Sequence, residues 1–343
     1  MKHTEFFTAL KNGKIEKCYL FEGEEEFTKH SALQALRRQV AGGDFAAMND
    51  VRLYDPAPDA LIAAAETLPF MSDKRFVEIR QCTLLSGEKP KEYDEEKAIE
   101  RYQEYFLDLP ETACIVFYVR GKADGRKKFY QLLKKRATLV SFDLLDDQEL
   151  TKWIARQLDK GGKKISFPCC QQLWFSAGRD LTLLSNELEK LIAFLGERTE
   201  VTKEDIDAIC VKSVEYKVFD LADTLLSGKG ARAMAMLDGL LREGEERMML
   251  LSILGRQCRQ LYYAAAMAAA GKNPAQIGAE IGIPSFAVPK TLSLAKRYAT
   301  GQLKKMAQLC TDTEYQVKSG QLMENGALEM VMLQIMGIGK EHT

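Results

Sequence analysis

The stretch Ala113-Cys-Ile-Val-Phe-Tyr-Val119 is apolar almost throughout. A strand with one face in water alternates polar and apolar residues. An unbroken apolar run of this length therefore reads as a strand covered on both faces, as in a parallel sheet between helices. Working outward, Cys18–Phe21 is a short apolar run ending at Gly23, and a helical pattern covers Thr28–Val40. Val51–Tyr54 is the next strand, Asp59–Thr67 a helix and Arg75–Arg80 (RFVEIR) a third strand. On the far side, Phe129–Arg136 is helical and Thr138–Phe142 is a fifth strand. Strands alternating with helices predict an open α/β domain with a mostly parallel sheet. Ser86–Glu104, polar and charge-dense with Gly87 and Pro90, reads as a surface insertion that turns helical near its end.

Beyond about Leu145 the strand signals cease. Asp146–Glu149 opens a helix that places Leu150, Ile154 and Leu158 on one face and stops at Gly161-Gly162. Short helices follow over Cys169–Ser176, Asp180–Leu195 and Thr202–Cys210. Then come Phe219–Leu226, Ala231–Arg242, Arg247–Ala270, Pro274–Ile281, Pro284–Arg297, Thr300–Lys318 and Met323–Met336. The expected organisation is an α/β domain over 1–145, a small all-α domain over 146–210 and a larger all-α domain over 211–343.

Composition excludes several classes of function. Of 343 residues 46% are hydrophobic and 28% charged, with a formal net charge of -1, so a binder of nucleic acid that relies on overall basicity is disfavoured. The eight cysteines show no C-x-x-C pair, and the histidines are His3, His30 and His342 alone. A zinc site needs spaced thiolates or imidazoles converging on one point, so no metal is expected and the cysteines read as small buried apolar residues of a reducing cytosol. The N-terminal MKHTEFFTALKNGK lacks a secretory apolar core, and no stretch has the length to span a bilayer; a cytoplasmic protein without membrane contact is expected.

The first strand runs into Phe21-Glu-Gly-Glu-Glu-Glu-Phe-Thr28. A P-loop needs glycines whose N–H groups reach phosphate oxygens, a lysine, and a Ser/Thr for Mg²⁺. This loop has one glycine and consecutive glutamates, which suit a helix N-terminus and repel a triphosphate. No G-x-x-x-x-G-K-[ST], H-E-x-x-H, G-x-S-x-G or G-x-G-x-x-G occurs, and one internal histidine leaves nucleophilic chemistry little to work with. Neither a cofactor nor a catalytic residue is expected.

The chain carries, in order, YLFEGEEEF, LPFMSDKRFVEIR (Leu68–Arg80), GRDLTLLSNELEKL (Gly178–Leu191), VFDLADTLLSGKGARAMAMLDGLLREGEE (Val218–Glu246), ILGRQCRQLYY (Ile253–Tyr263) and IGIPSFAVPKTLSLAKRY (Ile281–Tyr298). Together, in this order, these blocks resemble the DNA polymerase III δ subunit family of bacterial clamp loaders. The resemblance implies an AAA+-like α/β domain with a degenerate nucleotide site, a helical lid and a helical collar. It further implies a non-catalytic subunit of a DNA-directed DNA polymerase holoenzyme that binds and opens the β sliding clamp. Its partners would be the γ/τ and δ′ subunits and primer–template DNA. A δ′-like or other non-catalytic AAA+ adaptor is the alternative; δ′ subunits usually carry cysteine-based zinc spacing, which is absent.

Two segments carry the expected contacts. Leu68-Pro69-Phe70-Met71 lies between a helix and a strand and is apolar where turns are normally polar. By itself it reads as a loop tucked under the domain. The resemblance instead implies a tip inserted into a clamp pocket, with Phe70 and Met71 as anchors and Leu68 holding the loop. Lys122, Arg126, Lys127 and Lys128, followed by Lys134-Lys135-Arg136, form the most basic segment. A solvated helix face is the ordinary explanation, and contact with DNA phosphates the functional one.

Overall fold

In the computed structural model, residues 1–283 and 287–340 are described. The chain divides into two compact units, Met1–Leu150 and Thr151–Thr343. The first is built on five parallel strands: β1 (Cys18–Glu22), β2 (Asp50–Tyr54), β3 (Arg75–Arg80), β4 (Ala113–Tyr118) and β5 (Thr138–Ser141), in the order β2-β3-β4-β1-β5. Every residue of β4 is buried, as its unbroken apolar run requires.

Because side chains alternate along a strand, this burial calls for two separate cores. Ile115 and Phe117 of β4 join Cys18, Leu20, Val77 and Ile79 on one face. Helices α4 (Pro58–Glu66), α5 (Glu95–Tyr105) and α6 (Lys128–Arg136) supply Leu61, Tyr102 and Phe129 to that core. Cys114 and Val116 join Tyr19, Phe21 and Phe76 on the other, covered by α1 (His3–Lys11) and α2 (Glu26–Ala41) through Phe6, Leu10, Leu33 and Leu36. A further short helix, α3 (Ala46–Asn49), is a single turn leading into β2. Neither α1 nor α3 was expected from sequence; α3 is too short to show a helical period.

One charge sits inside the sheet. Glu78 of β3 is fully buried on the α2 face and meets three guanidiniums: Arg37 of α2, Arg80 two residues along, and its register partner Arg52 at 2.8 Å. Burial would raise the pKa of its carboxyl, but the hydrogen bonds from Arg80 and Arg52 hold it below the ordinary value.

The second unit is helical: α7 (Asp147–Lys160, within which the division falls), α8 (Phe167–Ala177), α9 (Leu181–Leu195) and α10 (Lys203–Ile209). Then come α11 (Val214–Leu226), α12 (Gly230–Arg242), α13 (Arg247–Ala269), α14 (Pro274–Ile281), α15 (Val288–Ala295), α16 (Thr300–Lys318) and α17 (Ala327–Lys340). Asp180 caps α9 by accepting from the N–H groups of Thr182 and Leu183, which explains the break before that helix. Leu250, Leu254 and Cys258 of α13 share one large core with Leu303, Met306 and Cys310 of α16 and with Val331 and Ile335 of α17.

Three expectations need correcting. Strands do not end at Leu145: Lys164–Ile165 (β6) and Glu200–Val201 (β7) pair in parallel, each too short to leave a two-residue period. The last helix starts at Ala327 rather than Met323, after a turn in which Gly326 has φ +83°. Helix α15 runs Val288–Ala295, short of the expected Arg297, and its expected start at Pro284 lies outside the described residues.

Replacing Glu78 by Gln leaves three guanidiniums around a neutral amide and is expected to cost about 3–5 kcal/mol of stability. A depressed carboxyl stabilises the fold above its unfolded pKa, and that contribution disappears as pH falls through the folded pKa. The gap between wild type and E78Q should therefore be full at pH 7 and close below about pH 4. Urea unfolding across that range checks both.

Candidate functional site

Parallel strands place all their carboxyl ends at one pole of a sheet and all their amino ends at the other. Open α/β proteins bind nucleotides at the carboxyl pole, where the chain's crossovers diverge. In this sheet that point lies between β1 and β4. The loop after β1 is held shut there. Gly23 donates its N–H to the Gly121 carbonyl at 2.8 Å, and Glu25 donates to Phe142 O at 2.9 Å. Gly23 has φ +124°, and a Cβ at that position would stand 2.2 Å from the Phe142 carbonyl oxygen. Only glycine fits, for closeness to protein backbone rather than to phosphate.

The space is then filled by a side chain the sequence did not single out. Lys29, on the first turn of α2, is fully buried. Its ammonium donates to Gly23 O (2.7 Å), Val119 O (2.7 Å) and Glu26 Oε1 (2.6 Å), and lies 5.1 Å from the centre of the Tyr118 ring. Burial pulls its pKa below the ordinary ammonium value, against the pull of Glu26. Glu26 also accepts from Tyr118 Oη at 2.8 Å and Gly121 N at 3.1 Å, while Glu25 caps Phe27 N at 3.1 Å. The glutamates thus serve as internal hydrogen-bond acceptors, and Lys29 is committed to backbone carbonyls.

A cleft of about 880 Å³ opens beside this plug. Its lining sets Glu26, Asp55, Glu88 and Glu92 against Arg80, Lys89, Lys91 and Arg120, a balance that offers a polyphosphate no net attraction. Asp55 is engaged by Thr83 N, Thr83 Oγ1 and Tyr93 Oη, all within 2.9 Å, so it ties together the two flanks of the 86–92 segment.

Lys122, Arg126, Lys127 and Lys128 of the basic segment lie at the same pole, and each is paired. Lys122 faces Glu24 and Asp143 at 3.9 and 3.8 Å, and Arg126 grips Asp124 at 2.9 Å, drawing that carboxyl down to about 2. Lys127 meets Glu95 at 3.1 Å and Lys128 meets Glu96 at 3.6 Å, both acids coming from the first turn of α5. The charged insertion therefore balances the basic run, while Lys134, Lys135 and Arg136 stay exposed.

Leu68–Met71 lies at the opposite pole, between α4 and the amino end of β3. The loop is not tucked in. Leu68 and Met71 are each 76% exposed and Phe70 50%, with Pro69 half-buried beside them. Met71 takes a left-handed backbone (φ +50°), uncommon for a residue with a side chain. Buried Asn49, the last residue of α3, fastens the loop by both ends of its amide. Phe70 N–H donates to Asn49 Oδ1 at 2.7 Å, and Asn49 Nδ2 donates to Phe70 O at 2.8 Å. The Phe45 ring packs edge-on to Phe70 at 5.1 Å. Phe45, Met48 and Asn49 were all missed in the sequence, because Gly42–Asn49 has neither a helical nor a strand period.

Two family models match the chain: DNA polymerase III, delta subunit, over residues 19–143, and DNA polymerase III delta subunit, C-terminal domain, over residues 215–335. DNA polymerase III subunit delta of Bacillus subtilis (strain 168) is 25% identical over 337 residues, 97% of this chain and 96% of the relative. Its Escherichia coli (strain K12) counterpart is 25% identical over 147 residues, 42% of this chain and 43% of that one. The solved structure of the Bacillus subtilis DNA clamp loader delta protein superposes with a TM-score of 0.57, covering 98% of this chain and 99% of its own, at 24% identity; this likeness is one of fold.

Exchanging Lys29 for Met keeps the bulk but leaves the Gly23 and Val119 carbonyls without their donor. A loss of about 2–4 kcal/mol is expected, read as a lowered denaturant midpoint of the full chain.

Proposed function

Because the chain belongs to the DNA polymerase III delta subunit family, we propose that within the clamp loader it grips the β sliding clamp through Leu68, Pro69, Phe70 and Met71 and favours the open ring. The observation that carries this reading is the tip itself: three large apolar side chains held out in water by a fixed backbone. Soluble proteins seldom spend a rigid loop on exposed apolar surface unless a partner covers it. Burial of one such side chain contributes on the order of 1.5–3 kcal/mol, enough for two anchors to dominate a small interface. A ligand that binds the open ring better than the closed one shifts the population toward opening.

On this reading the subunit neither binds nor hydrolyses ATP. Lys29 fills the place where a nucleotide would sit in the AAA+-like domain, and the motor is supplied by the γ/τ subunits. On this reading the chain has three parts, 1–145 for the clamp, 146–210 as lid and 211–343 as collar; the core shared by α11 to α13 and α15 to α17 supports the last of them. The collar would join γ/τ and δ′ in the assembled loader. Contact of Lys122, Arg126, Lys127 and Lys128 with primer–template DNA requires phosphates to displace surface carboxylates, an exchange that costs little because exposed ion pairs contribute about 0–1 kcal/mol each. No helix among the described residues is long and apolar enough to cross a membrane, in keeping with a cytoplasmic replication protein.

Changing Phe70 and Met71 together to Ala should leave the unfolding midpoint in place and weaken binding to the sliding clamp at least tenfold, a loss of about 2–4 kcal/mol. Titration of the full chain with the clamp measures the first effect and thermal unfolding the second. A destabilised chain with unchanged clamp affinity would return the loop to the core. Calorimetry with ATP and Mg²⁺ should give no saturable heat up to about 1 mM nucleotide.

A further inference from the structure

Phe45 and Met48 are 41% and 56% exposed, although neither belongs to the Leu68–Met71 segment. They stand on the turn that leads into β2, and the tip leads into β3. Since β2 and β3 are parallel neighbours, both lead-in segments meet at the amino pole of the sheet. Five of the nine exposed large hydrophobic residues of the first unit lie on these two segments; the others are Met1, Tyr54, Leu107 and Leu144. The Asn49 amide joins the segments: it satisfies both the N–H and the carbonyl of Phe70 and also reaches Phe45 O at 3.4 Å.

We infer that the clamp-facing surface is composite, formed by Phe45 and Met48 as well as Leu68, Phe70 and Met71, and that Asn49 is the positioning residue that keeps Phe70 ready for insertion. The inference rests on the clamp-binding reading above. Its physical basis is the direction in which the bonds are spent. A buried amide makes two short hydrogen bonds to a peptide whose own side chain is half in water, so those bonds fix an exposed group rather than fill a core. An anchor fixed in advance does not lose its loop entropy on binding, and the partner's apolar pocket gains the full burial. Phe45 completes the arrangement by bracing the Phe70 ring edge-on.

The test uses the full-length chain and the sliding clamp of the same organism, with Phe70→Ala/Met71→Ala as reference. Asn49→Ala should raise hydrogen exchange at the Phe70 amide and weaken clamp binding, each by about tenfold. Asn49→Asp keeps the acceptor for Phe70 N–H but turns a carboxylate oxygen toward Phe70 O, so it should recover only part of the affinity. Phe45→Ala, at a surface site, should weaken binding several-fold with an unchanged unfolding midpoint, and it decides the matter alone if N49A does not fold. Full clamp affinity in N49A and F45A, with binding lost in the reference, would overturn the composite surface and leave the clamp reading standing. Full affinity in the reference would remove both.

Discussion

Strand β4 has no side facing water, and the arrangement of the first unit follows from that constraint. Six buried residues in a row require a helical layer on each face, and parallel strands are the topology that delivers helices to both. Parallel direction then sorts the loops. Everything that follows a strand lies at the carboxyl pole, where Lys29, the cleft and the basic segment are found. Everything that leads into a strand lies at the amino pole, where the apolar tip stands. A six-residue strand separates the two by roughly 20 Å. The two candidate functions therefore occupy opposite ends of one rigid sheet, and changes at one need not disturb the other.

The buried charges are used for structure. Lys29 gives its hydrogen bonds to two backbone carbonyls and to Glu26, and so ties the loop after β1 to the end of β4. Glu78 ties α2 to the two strands nearest the open edge of the sheet through Arg37, Arg52 and Arg80. Ionic groups in such places seldom add net stability over apolar ones, yet losing one partner is costly, so each fixes a particular arrangement. At Lys29 that arrangement is a closed loop after β1 at the carboxyl pole of the sheet. At Glu78 it is the position of α2, which leads through α3 to Asn49.

The tip combines exposure with rigidity. Its apolar side chains would gain by folding inward, and the left-handed backbone at Met71 and the two bonds from Asn49 to Phe70 oppose this.

Sequence alone determined the elements whose signal is local. The apolar run at Ala113–Val119 gave a strand buried on both faces, RFVEIR gave β3 at its observed limits, and Leu150, Ile154 and Leu158 are all buried on the helix they predicted. The blocks from YLFEGEEEF onward gave the family, because order along a chain is itself information. What depends on residues far apart in sequence was not legible. That Lys29 meets Val119, that Asn49 meets Phe70 and that Glu95 meets Lys127 follows from strand order and crossover. Whether Leu68–Met71 turned inward or outward could not be read from its own residues either, since an apolar loop fits both. Only the tertiary structure decided it, because the bonds that hold the loop outward come from a helix turn that the sequence does not mark.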